Sequence, residues 1–126
     1  MRLETMTPDP SAHPDEGAVA RLAALDDDVS IHVWGGDWCK DCVATLPKFA
    51  AALVAAGIDP DSTYQYPVTK REDGSKVGPA VEAYDIEYIP TIVVERAGVE
   101  IARFVESADE PAAVYLANRL AVVDRV

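Results

Sequence analysis

The segment "VSIHVWGGDWCKDCVATLPKF", residues 29–49, constrains the fold more than any other part of the chain. Its first seven residues are β-branched and almost wholly apolar, the pattern of a central strand buried on both faces. Beyond Gly35 and Gly36 the period changes. Val43, Leu46, Ala50, Leu53 and Val54 recur at helical spacing, and Gly57 stands where a helix C′ residue belongs. A buried strand therefore runs into a helix, and the only two cysteines of the chain, Cys39 and Cys42, lie at the junction. Pro47 falls well inside the helix, where its missing N–H and its ring predict a kink.

That position gives the cysteines a chemistry. The first N–H groups of a helix have no intrahelical partners and sit at the positive end of its dipole, so a thiolate at Cys39 is stabilised. Thiolates, not thiols, attack disulfides. Cys42, one turn on, lies on nearly the same face and can close back on Cys39. As a staple the pair would close too small a loop to stabilise the fold through chain entropy. Two chemistries stay open at this point, dithiol exchange and metal binding. A closed tetrahedral metal site needs four ligands, and the other soft donors, His13 and His32, have no regular spacing to the cysteines. Cysteine pairs from two chains would also supply four.

Residues 1–16 are rich in proline and carry no helical period, so they are expected as a flexible N-terminal arm, with "MRLETM" able to add a short strand. Residues 17–126 are read as one domain. Asp15 is a fitting N-cap for a first helix, "EGAVARLAAL", with Val19, Leu22 and Leu25 on one face. "STYQYPV" reads as a short second strand with Pro67 at an edge or an end. "TKREDGSKVGP" reads as a loop and "VGPAVEAYDI" as a short helix. "PTIVVER" and "VEIARFV" predict a hairpin around Gly98, with a connection of about 3 to 5 residues. In the closing helix, "EPAAVYLANRLAVV", Val114, Leu116, Leu120 and Val123 are apolar, and Pro111 occupies the tolerant first turn. The order predicts an α/β fold, a mixed sheet covered by helices.

Taken together, the strand, "WCKDC", the helix with Pro47, "YIPT" at 88–91 and the hairpin at Gly98 resemble the thioredoxin family over about residues 17–123. The resemblance implies a thioredoxin fold, with a parallel β-α-β half and an antiparallel hairpin flanked by helices. It implies that the Ile89–Pro90 bond is cis and packs against the dithiol, that Cys39 attacks and that Cys42 resolves. It places Trp38, Ile89, Pro90 and Thr91 on the substrate side, where the exposed backbone of Ile89 can pair with an extended segment as in strand addition. No cofactor is implied beyond the redox-active Cys39–Cys42 disulfide, and no metal.

The chain departs from the family where the departures matter chemically. Many thioredoxins carry a buried aspartate at the position of Val33, assisting proton transfer at the resolving thiol. Glu95 and His32 are the neighbours able to fill that role, although period-two alternation turns His32 to the opposite face. Lys40 and Asp41 stand where the family often has Gly-Pro. They tune the thiol in opposite directions, the cation favouring a thiolate at Cys39 and the carboxylate opposing it. "WCxDC" also resembles a reductive subset of thioredoxin-like proteins with narrower substrates. Glu106 falls where the substrate groove usually has glycine, and with Asp37 and Asp41 it predicts an acidic groove that favours basic or neutral partners.

Charge narrows the partners further. A net charge of −11, from 22 acidic against 11 basic residues, argues against nucleic acid and anionic membranes, which would be repelled. No apolar run reaches the roughly 18 residues of a membrane span, and the N-terminus has proline and acid where a signal peptide needs an apolar core. The expectation is a cytoplasmic monomer in a reducing compartment that reduces disulfide-containing proteins and draws electrons from an upstream reductase. Two alternatives are a non-catalytic module that holds a metal or partner through the dithiol, and a glutaredoxin-like reductase of glutathione mixed disulfides. The latter would need a polar or basic cradle that this acidic sequence does not advertise.

Overall fold

The computed structural model describes residues 3–106 and 110–123. Helix α1 (Glu16–Ala23) starts at Asp15, whose carboxylate accepts the Ala18 N–H at 2.9 Å and so satisfies one orphan donor of the first turn. Strand β1 (Val29–Gly35) leads into α2 (Lys40–Ala55), followed by β2 (Tyr64–Pro67), a small ribbon β3 (Thr69–Lys70) and β4 (Lys76–Val77), β5 (Thr91–Arg96), β6 (Val99–Val105) and α3 (Ala112–Val123). The main sheet has the order β2-β1-β5-β6, with β1 and β2 parallel and the other neighbours antiparallel. This mixed sheet, with a dithiol helix rising from its central parallel strand, is the thioredoxin fold.

Helix α2 ends as its sequence requires. Gly57, at φ +81°, takes the left-handed C′ position; its N–H reaches Val54 O at 3.0 Å, and that of Ile58 reaches Leu53 O at 2.8 Å. Those two bonds satisfy carbonyls the helix itself leaves open. The buried face of α2 is Leu46, Phe49, Ala50 and Leu53, while Val43 and Val54, expected on that face, are half exposed. The helix presents a narrower apolar stripe than the spacing suggested. In α3, Leu116 and Leu120 are buried and Val114 is half-buried; the Val123 side chain lies outside the described residues.

Strand β1 divides two environments by its alternation. On one side Ile31 and Val33 pair with Val94 and Ile92 of β5, and Phe104 of β6 lies opposite Ile92, making an apolar floor for the helices. The three helices contact one another as one layer, α1 against both α2 and α3. On the other side Trp34 and His32 meet Tyr66, Tyr84 and Glu95, with the Trp34 and Tyr66 rings stacked at 4.4 Å.

Four segments differ from the expectation. Residues 3–6, expected in a flexible arm with an optional strand, form a 3-10 turn over Glu4–Met6, and Leu3 and Met6 are buried in the core. The expected loop 69–77 contains the β3–β4 ribbon. The expected helix over 77–86 is a run of turns: Ala80 and Asp85 adopt left-handed backbone at φ 60° and 54°. Tertiary donors claim its carbonyls, Trp34 Nε1 binding Pro79 O and the Arg103 guanidinium binding Tyr84 O, each at 2.9 Å. The β5–β6 connection is the two residues Ala97 and Gly98, both at positive φ, the geometry of a tight hairpin turn.

Candidate active site: the Cys39–Cys42 dithiol

Gly35 and Gly36 explain how the strand reaches the dithiol. A Cβ on Gly35 would come within 2.9 Å of Leu46 Cδ1, and one on Gly36 within 2.5 Å of Trp38 Nε1, so neither position admits a larger residue without displacing its neighbour. The Trp38 indole folds back across Gly36, donates to Val68 O at 2.9 Å and leaves 53% of its surface exposed. It forms a fixed apolar wall beside the cysteines. The chain then turns, the Cys39 N–H donating to Gly36 O at 3.1 Å, and Cys39 becomes the N-cap of α2.

As N-cap, Cys39 uses its sulfur in the manner of a serine or aspartate oxygen. Sγ accepts the Cys42 N–H at 3.3 Å, so a developing thiolate meets a donor already in place. The Ile89–Pro90 bond is cis, and the Cys39 thiol lies 3.8 Å from Ile89 O. Cys39 retains 9% of its surface and Cys42 none, which decides which sulfur an external disulfide can meet. Burial pushes the Cys42 thiol far above the ordinary range; its hydrogen bond with Cys39 and the nearby Asp41 charge act in the same direction. The two cysteines are not joined by a disulfide.

The remaining site residues fall into two groups. Lys40 and Asp41 are exposed in the first turn of α2. Pro90 is buried, and Ile89, at 5% exposure, offers its carbonyl rather than its side chain. Thr91, expected on the substrate side, is buried, and its hydroxyl donates to Tyr88 O at 2.6 Å. Tyr88, not singled out from the sequence, is 52% exposed immediately before Ile89. An aromatic directly ahead of "IPT" was the available signal. Glu106 adopts φ 58° and its N–H donates to Pro90 O at 2.6 Å, which fixes the end of β6 against the cis-proline turn.

Asp37, expected in an acidic groove, is exposed, and its carboxylate also accepts the N–H groups of Glu4 and Thr5 at 3.3 and 3.0 Å. Two expected roles are corrected. Neither Glu95 nor His32 replaces the acid absent at Val33. Both belong to the opposite face of β1, where His32 Nε2 lies 2.9 Å from Glu95 Oε1 and from Ser30 Oγ, and Nδ1 lies 2.9 Å from the Tyr66 hydroxyl. Burial lowers the His32 imidazole pKa, an effect Glu95 partly offsets. Leu3 and Gln65 were missed by sequence reasoning: Gln65, opposite Val33 in the register, accepts the Leu3 N–H at 2.6 Å. The one-turn spacing of Leu3 and Met6 was the signal in that segment. Among the described residues, no three His, Cys, Asp or Glu side chains converge in a way that could hold a metal.

No protein-family model and no curated protein matches the chain. Solved structures do. A thioredoxin from Trypanosoma brucei brucei matches at 13% identity over 100% of both chains with a TM-score of 0.46. A mutant thioredoxin from Halobacterium salinarum matches at 16% identity over 97% of this chain and 94% of that one, also at 0.46. A thioredoxin-fold protein from Helicobacter pylori matches at 14% identity over 88% of this chain and 96% of that one, at 0.40. The fold assignment itself rests on the strand order, the direction of each pair and the dithiol at the head of α2. On those observations the chain has the thioredoxin fold and resembles the thioredoxin family.

Proposed function

We propose that the chain is a thiol-disulfide oxidoreductase that reduces protein disulfides through Cys39 and Cys42. One observation carries the reading: a dithiol caps α2 beside the Ile89 carbonyl, with Cys39 keeping 9% of its surface and Cys42 none. The Cys39 thiolate attacks one sulfur of the substrate disulfide; an S–S bond forms on Cys39, the substrate S–S bond breaks, and the displaced substrate sulfur leaves as a thiolate. Cys42 then loses its proton and attacks Cys39 Sγ, releasing the second substrate thiolate. The protein ends as the Cys39–Cys42 disulfide, and two electrons have passed to the substrate. An upstream dithiol reductase restores the starting state.

Burial, which pushes the Cys42 thiol pKa up, disfavours the thiolate needed for the second exchange. Trp38 and Tyr88 supply apolar walls on which an extended substrate segment can rest. The reading includes a cytoplasmic site of action, no nucleic-acid or membrane partner, a monomer, and no cofactor besides the dithiol.

The test is turnover of a protein disulfide with an excess of a small dithiol as electron source. Wild type should accelerate reduction, Cys39→Ser should abolish the acceleration, and Cys42→Ser should accumulate a covalent complex on Cys39. Stoichiometric metal in the purified protein, without turnover, would instead establish the binding-module alternative.

A further inference from the structure

We infer that residues 3–9 form a strap belonging to the redox site, in which Leu3 and Asp37 act as positioning residues that keep Cys42 dry. This rests on the reading of Cys42 as the resolving thiol. The strap is fastened at three points. Gln65 Oε1 accepts the Leu3 N–H at 2.6 Å, the Asp37 carboxylate accepts those of Glu4 and Thr5, and the Asp9 N–H donates to Pro47 O at 3.1 Å. The first lies on the strand beside β1, the second on the turn that presents Cys39, and the third on the dithiol helix. Each attachment is therefore made to an element that builds the site.

Between these fastenings the side chains of Leu3 and Met6 are sealed, at 1% and 0% exposure. A Cβ on Gly35 would lie 3.3 Å from Leu3 Cδ1 and 3.6 Å from Cys42 Sγ, so the leucine methyl and the sulfur border the same gap above β1. Val33, on the same face, brings no polar group into it. Leu3 thus closes the apolar pocket that disfavours a Cys42 thiolate, and Asp37 holds the turn that carries Leu3 in place. A strap that loosens exposes Cys42 to water, speeds its ionisation and shortens the life of the mixed disulfide.

The experiment isolates Cys42 in the full chain carrying Cys39→Ser and follows its alkylation by iodoacetamide from pH 7 to 10. In that parent the reaction should be slow and its pH profile displaced upward from an ordinary thiol. Adding Leu3→Ala or Asp37→Ala should move the profile down and raise the rate at pH 8 by about tenfold for each unit of the displacement. Leu3→Met, which refills the gap, should restore the slow rate. Because Asp37 is exposed, Asp37→Ala supplies the readout should Leu3→Ala fail to fold. Rates unchanged from the parent in a variant whose near-ultraviolet dichroism is native would overturn the proposal, as would Leu3→Met behaving like Leu3→Ala. The measurement does not depend on disulfide turnover, so an inactive wild type would defeat the reductase reading while leaving this result to stand or fall separately.

Discussion

The two faces of β1 solve the problem of burial in opposite ways. The face of Ile31, Val33 and Gly35 is apolar and packed by α2, Phe104 and the N-terminal strap, and burial there pushes the Cys42 thiol towards its protonated form. The face of Ser30, His32 and Trp34 buries polar groups and satisfies them: His32 bonds Tyr66 and contacts Glu95, Glu95 accepts from the Tyr84 hydroxyl at 3.0 Å, and Trp34 finds Pro79 O. A buried hydroxyl or imidazole is tolerable only with partners, whereas a thiol needs none. Alternation along one strand therefore separates a reactive site from a structural network a few ångströms away, and explains why an acid at Glu95 cannot serve Cys42.

The comparison breaks most severely on the apolar face. Leu46→Ala removes a fully buried side chain that touches the Gly35 gap, and it should lower stability by about 2 to 5 kcal/mol in urea titration. A change no larger than that of a surface substitution would show the face to be less tightly packed than described. On the polar face His32→Phe keeps the ring but takes one partner from Glu95, which keeps the Tyr84 hydroxyl, and the imidazole partner from the Tyr66 hydroxyl, which should cost about 1 to 3 kcal/mol with reductase activity retained. Loss of turnover in folded His32→Phe protein would mean that the two faces are coupled after all.

The faces should also differ in their pH response. The folded His32 pKa is depressed, so the unfolded chain takes up its proton first as pH falls, and stability should decline below about pH 6.5. His32→Phe should flatten that decline in melting temperature, leaving only the carboxylate contributions. Cys42 acts at the other end: its folded pKa is raised, so the unfolded thiol ionises first and reduced protein should lose stability above about pH 8.5, a loss absent in Cys42→Ser. The smallest effect expected is a gain. Glu106→Gly relieves a left-handed backbone and should add about 1 kcal/mol if φ 58° is held in solution; a loss would show that the glutamate side chain contributes more than its backbone costs.

Much of the site was legible because it is local. Cys39, Cys42, the strand before them, the helix after them and its glycine terminator are read from spacing within one segment, and "YIPT" marked the opposing turn. The failures were of another kind. Residues 77–86 have a helical period but give their carbonyls to Trp34 and Arg103, partners distant in sequence. The partners of Asp37, Glu4 and Thr5, went unseen because they lie in a segment whose composition resembled a loose arm.

A buried strand feeding a dithiol helix, a hairpin after "IPT" and an acidic chain are all written locally, since period, caps and turn residues act over a few positions and need no partner. Packing between distant segments left Cys42 with no exposed surface and Cys39 with 9%, turned His32 and Glu95 to the far face, and put Leu3 and Met6 in the core. Each of those outcomes depends on which distant groups exclude water from a side chain or satisfy its hydrogen bonds, and desolvation is a property of the assembled surroundings rather than of the residue.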